Sequence, residues 1–201
     1  TIGFYVRGNP LDEYRWKVTE LTPYASNNLE GIEKGQEIAL CGILTGIQKR
    51  RNKEQKPWAF MQLEDWHGAT EILCFATRYE LLQKEIEEDK AVLVRGKAMP
   101  EEDGTFKLNV QEIIPLALAR VNFPTLVSIK VRLTQSSADK AEALRQLFSE
   151  KPGDTSVRLK LERPRDFQML MDVPLKIRPD KEFKAAIERI CGPEALEVLA
   201  S

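Results

Sequence analysis

Residues 38–48 read Ile-Ala-Leu-Cys-Gly-Ile-Leu-Thr-Gly-Ile-Gln, a run of strand formers interrupted at Gly42 and Gly46. Glycine weakens a strand interior and often marks a bulge or sharp bend. The run therefore predicts a strand that coils, as one wrapped around a small barrel must. Beyond it, Asn52 to Pro57 is a polar connection. Trp58 to Glu64 follows with Ala59, Met61 and Leu63 on one face and Trp58, Phe60 and Gln62 on the other, the period-two pattern of a half-buried strand. His67-Gly68 predicts a tight turn into a third strand, Ala69 to Ala76. Arg78 to Glu88 reads as a helix, because Tyr79, Leu82 and Ile86 recur at helical spacing. Ala91 to Ala98 is a fourth strand, and Asp103-Gly104 signals a hairpin into a fifth that contains Phe106 to Val110.

Strand, strand, strand, helix, strand, strand is the serial order of the OB-fold, a five-stranded Greek-key β-barrel with one helix that commonly binds oligonucleotides or oligosaccharides. We assign it to residues 36–118. Residues 1–35 read as a connector packing on the barrel: Gly8-Asn9-Pro10 breaks regular structure and a short helix can begin at Pro10. Residues 119–201 read as a small α+β domain. Leu126 to Leu133 alternates cleanly, and Ser136-Ser137-Ala138-Asp139 offers an N-cap for a helix carrying Ala141, Leu144, Leu147 and Phe148, which Pro152-Gly153 ends. Val157 to Glu162 and Phe167 to Met171 are further strands; Leu175 to Ile177 leads into a helix over Lys181 to Ile190, and Glu194 to Leu199 closes the chain.

Composition removes several classes. With 42% hydrophobic and 30% charged residues, neither disorder nor collagen-like repetition fits. No apolar run approaches the roughly 20 residues of a spanning helix, so no membrane partner is expected, and no secretory signal is seen. The chain opens on Thr1 without an initiator Met, and we expect a piece of something longer. Cys41, Cys74 and Cys191 form no CxxC pair, which argues against a zinc site or disulfide framework and fits a reducing cytoplasm. Net charge is −1, so any nucleic-acid affinity must come from a local patch.

Catalysis finds little support. The acidic pairs Glu64-Asp65 and Glu101-Glu102-Asp103 fall at strand ends and a hairpin tip, where solvated turn residues are expected. His67 is the one imidazole and stands in no triad spacing, and no GxGxxG or GxxxxGK loop occurs. We expect no catalytic residue, metal or cofactor. Single-strand binding needs cations along phosphates and aromatic faces for bases. Lys49, Arg50, Arg51, Lys53 and Lys56 cluster in the connection between the first two strands, opposed only by Glu54, and Trp58 and Phe60 stand on the outward face that follows. Arg95, Lys97, Lys107 and Asn109 on the last two strands extend that surface, while Glu101, Glu102 and Asp103 oppose it. The bland alternative is that the lysines keep a hairpin soluble and the aromatics cover another segment.

At this point the residues resemble a known family, the C-terminal region of the bacterial replicative DNA polymerase III alpha subunit. Ile2-Gly3-Phe4-Tyr5-Val6-Arg7-Gly8-Asn9-Pro10-Leu11-Asp12 is similar to that family's LGFYxSGHPLD segment, with Arg7 and Asn9 in place of Ser and His. Cys41 to Gly46, Ala59 to Asp65, Gly68 with Glu71-Ile72, and Leu93 to Gly96 also match; beyond about residue 115 the match is chiefly Leu175 to Pro179. The resemblance implies a DNA-directed DNA polymerase as parent, its nucleotidyltransferase carboxylates upstream of this chain. It also implies an OB domain near single-stranded template and a tail that meets the tau subunit of the clamp loader. Tail candidates for that contact are Arg158, Lys160, Arg163, Arg165, Phe167, Leu196 and Leu199, with Phe167 and the leucines equally readable as core. The runner-up is an interaction module in which the barrel packs on polymerase or clamp-loader surfaces and binds no DNA. An anticodon-binding module shares the barrel, but the Gly-Phe-Tyr opening has no place in it.

Overall fold

The computed structural model describes residues 9–102, 104–134, 137–163 and 166–199. The opening stretch through Gly8, Asp103 of the hairpin signal, Ser136 of the N-cap motif and Arg165 lie outside the described residues. The chain divides into two compact units, residues 1–121 and 122–201.

In the first unit a 3-10 turn, Asp12–Tyr14, runs into α1 (Arg15–Leu21), followed by β1 (Glu37–Arg51), β2 (Pro57–Glu64), β3 (Ala69–Cys74), α2 (Ala76–Leu82), β4 (Ala91–Pro100) and β5 (Phe106–Pro115). The strands close in the order β1-β2-β3-β5-β4, with β3 and β5 parallel and the other pairs antiparallel. This is an OB-fold. β1 closes the barrel by pairing with β4 along its first half and β2 along its second, and the glycines sit where it turns. A Cβ on Gly42 would lie 2.6 Å from the Glu64 carbonyl oxygen, so only glycine lets the strands approach there. Gly46 has φ +58°, inside the register shift between Thr45 and Gln48. The expected bulge is present. β2 alternates as predicted, with Ala59, Met61 and Leu63 buried among Leu40, Leu44, Ile72 and Leu108.

Residues 9–35 pack on this barrel. Leu11 and Val18 join Cys41, Ile43, Leu93 and Leu116 in a second apolar cluster. The Asp65 carboxylate accepts the Ser26 N–H and hydroxyl together with the N–H groups of His67 and Gly68, so it both builds the β2–β3 turn and ties the connector to it. Burial pushes the Cys41 thiol up to about 12 and the Cys74 thiol to about 11, which leaves both protonated and unreactive.

The helix between β3 and β4 is shorter than expected, and β3 ends at Cys74 instead of Ala76. α2 stops at Leu82 and not at Glu88, because the following acidic residues face the negative end of the helix dipole. Ile86 still reaches the core, and the segment is tied to β1 by Asp89 N–H on the Leu44 carbonyl and Leu44 N–H on the Lys90 carbonyl.

The second unit holds β6 (Leu126–Arg132), α3 (Ser137–Glu150), β7 (Pro152–Arg163), β8 (Phe167–Ile177), α4 (Lys181–Cys191) and β9 (Leu196–Leu199). Its sheet has the order β8-β7-β6-β9, with only β6 and β7 parallel. Val127, Ile129, Val157 and Leu159 meet Leu144, Phe148, Phe183 and Ile187 in one core, so both helices cover the same face. Asp180 caps α4, accepting the Phe183 N–H at 2.8 Å, and binds Lys151 and Arg178 with its buried carboxylate.

α3 ends before Pro152 as expected, and the residues that stop it open the next strand. Pro152-Gly153 is the bulged start of β7, and a Cβ on Gly153 would fall 2.6 Å from the Ile177 carbonyl oxygen. Pro174 lies within β8, which is one strand and not two pieces. An edge position tolerates a residue that lacks an N–H.

Candidate nucleic-acid interface

The basic cluster is built differently from a loop. β1 continues to Arg51, and Lys49, Arg50 and Arg51 stand opposite Ala59, Trp58 and Pro57; of the five cations only Lys53 and Lys56 occupy the connection. The reversal is tight because the Asn52 side chain accepts the N–H groups of Glu54 and Lys56, while the Asn52 N–H donates to the Lys56 carbonyl. Pairing can therefore run to the tip. All five cations are exposed. Strand alternation puts Arg50 on the Trp58 side and Lys49 and Arg51 on the other. Arg51 donates to the Gln55 carbonyl at 2.9 Å, and Lys56 pairs with Glu54 at 2.9 Å.

Register arranges the outward face in rows. Arg50 pairs with Trp58, and because Ala59 pairs with Cys74, Phe75 continues the same row. The Arg50 guanidinium lies 5.7 Å from the Trp58 ring centroid, and Phe75 stacks on that ring at 6.2 Å with planes 30° apart. The next row is Gln48, Phe60, Leu73, Asn109 and Lys97, running from β1 through β2, β3 and β5 to β4. Lys97 is thus in line with Phe60, three strand spacings or roughly 14 Å away.

The other two candidates are compensated. Lys107 lies 3.2 Å from Glu101 and 3.8 Å from Glu71, and Arg95 lies 3.2 Å from Glu112 in an open groove that also carries Glu37. Structure therefore gathers Lys49, Arg50, Arg51, Lys53 and Lys56 on one arm, of which Arg50 shares the face of Trp58 and Phe60, and sets Arg95 and Lys107 among carboxylates. Phe75 is the residue that sequence reading overlooked. Its signal was available: Thr70, Ile72 and Cys74 face inward, which turns the next residue out. Among the described residues no group of three or more His, Cys, Asp and Glu side chains could hold a metal ion.

In the second unit Arg158 binds Asp172 through two nitrogens, at 2.7 and 3.3 Å, while Lys130 and Lys160 flank Glu162. Arg163 pairs with Asp166 and covers the Phe167 ring. Leu196 packs on the core and Leu199 is half-buried, whereas Phe167, Met169, Leu170, Met171 and Leu175 are exposed along β8. Beside them lies an apolar groove lined by Leu133, Ala141, Leu144, Leu161 and Val173. No helix among the described residues is long and apolar enough to cross a membrane.

Comparison with known proteins places these features. The family described as OB-fold nucleic acid binding domain matches residues 38–116. The DNA polymerase III subunit alpha of Mycobacterium tuberculosis is 29% identical over 199 residues, which cover 97% of this chain and 17% of that protein. The chain is similar along nearly its whole length to DNA polymerase III alpha subunits. The Vibrio cholerae alpha subunit is 21% identical over 201 residues, covering 98% of this chain. These matches to the alpha subunit run through both the barrel and the tail, and the chain spans 17% of each relative's length. Among solved structures, the second single-stranded DNA binding protein of Mycobacterium smegmatis is similar, at 14% identity and a TM-score of 0.35, over 44% of this chain and 99% of that chain.

Proposed function

We propose that this chain is a non-catalytic part of a replicative DNA polymerase whose barrel binds single-stranded template DNA in the cytoplasm. One observation carries the reading: five exposed cations crowd the β1–β2 arm, with Arg50 on the outward face that carries Trp58 and Phe60 and Lys49 and Arg51 on the other side of the same arm. Phosphates follow the cations and bases meet the aromatic surface, a combination that suits unpaired strands of any sequence. With a net charge of −1, the chain as a whole does not attract DNA, so the patch must act locally. Anisotropy of a fluorescent oligo(dT) titrated with the chain across a salt series tests this. Binding that falls with salt and exceeds binding to duplex is expected; no binding at low salt, or equal binding to duplex, overturns it and leaves a protein-interaction module.

A second role rests on the tail. β8 is an edge strand of its sheet among the described residues and carries exposed apolar side chains, a surface suited to a protein partner. Together with the resemblance to the alpha subunit, this supports docking to the clamp-loader tau subunit. Calorimetry with tau should show binding by the chain and its loss when Met169 and Met171 are both replaced by Lys. Full affinity in that variant would move the contact elsewhere.

A further inference from the structure

Trp58 is one of the two aromatics, with Phe60, that sequence alone nominates for stacking on bases, yet its ring is already engaged from both neighbouring strands. Arg50 covers it from β1 and Phe75 from the end of β3. Phe75, by contrast, is 43% exposed. Its backbone is extended, at φ −73° and ψ 158°, which keeps its side chain on the outward alternation of β3. The backbone is also fixed, since the Phe75 carbonyl accepts the N–H groups of Arg78 and Tyr79 at 2.9 Å, and Tyr79 is buried in the barrel core. An aromatic ring held at its backbone and braced by a second ring loses little freedom when a flat ligand lands on it.

From this geometry we infer that Phe75 is the base-stacking residue of the interface and that Trp58 and Arg50 support it. The ligand is an unpaired nucleobase of single-stranded nucleic acid, taken without sequence preference because every base offers a π face. The inference rests on the proposed DNA-binding role and sharpens it: the chain path leaves the cationic arm and crosses the outward row to the head of α2. Covering the Trp58 ring would not by itself require an aromatic at this position, whereas stacking does.

The test uses the full chain and labelled oligo(dT) over a salt series, comparing the parent with Phe75→Leu and Phe75→Trp. Leucine keeps an apolar cover and removes the π face. Phe75→Leu should weaken binding roughly 5- to 150-fold with an unchanged slope of log K against log salt, and Phe75→Trp should bind at least as well as the parent. Phe75→Leu binding as the parent does, or losing salt slope in proportion to affinity, would overturn the inference while leaving DNA binding by the arm intact. A parent that binds no oligonucleotide at any salt concentration overturns both. Photocrosslinking of an oligonucleotide bearing 5-iododeoxyuridine supplies a readout that does not depend on variant folding. The crosslinked peptide should contain Phe75, and crosslinks confined to other segments contradict the assignment.

Discussion

Lys49 and Lys53 are two exposed arm cations, whereas Lys56 is held by Glu54 and Arg51 by the Gln55 carbonyl, so the first perturbation replaces Lys49 and Lys53 with Gln. Each phosphate contact to a single strand contributes about 0.7 to the slope of log K against log salt, so the double variant should lose about 1.4. Between 50 and 200 mM salt, a range of about 0.6 log units, its deficit relative to the parent should shrink by about sevenfold. Glu54→Gln acts in the opposite sense: it frees Lys56 and should raise the slope by about 0.7. Anisotropy titrations at four or more salt concentrations measure all three proteins. A double variant with the parent's slope would show that the arm is a solvated hairpin, whatever its affinity at one salt concentration.

Gly42→Ala puts a methyl group 2.6 Å from the Glu64 carbonyl oxygen and 2.8 Å from Leu63 Cγ, and should cost about 1–3 kcal/mol in urea unfolding of the barrel. Burial works to raise the Asp180 carboxyl, but the Phe183 N–H, Arg178 and Lys151 outweigh it and hold the group below its ordinary range. Stability from Asp180 is therefore present above an unfolded carboxylate pKa of about 3.9 and is lost as pH falls through the lower folded value. Asp180→Ala should destabilise the tail by about 2–4 kcal/mol at neutral pH and flatten the fall of its melting temperature in acid. With magnesium, primed template and nucleotides, the purified chain should extend no primer; extension that copurifies with it would contradict the non-catalytic reading.

The barrel was legible because its signals are local. Inward Ala59, Met61 and Leu63 alternate with outward Trp58, Phe60 and Gln62, and the two glycines mark the bend and bulge of β1. The end of β1 was not legible. Lys49, Arg50 and Arg51 carry no apolar alternation, and their strand conformation comes from pairing with Pro57 to Ala59 across the hairpin. The continuity of β8 from Phe167 to Ile177 was hidden for a related reason: it contains Pro174, which an edge strand tolerates, and edge position is a property of the whole sheet. The candidate site divides the same way. Its residue types stood in the sequence, but the ion pairs that compensate Arg95 and Lys107 depend on neighbours brought in from β3, β5 and the β4–β5 hairpin.

Titrating the isotope-labelled chain with oligo(dT) and following backbone amide shifts by NMR tests the central claim most directly. The largest changes should fall on Gln48 to Phe60 and on Phe75, with residues 122–199 unmoved. Saturable binding that shifts the tail or the β4–β5 hairpin and leaves Lys49 to Trp58 unchanged would contradict the account.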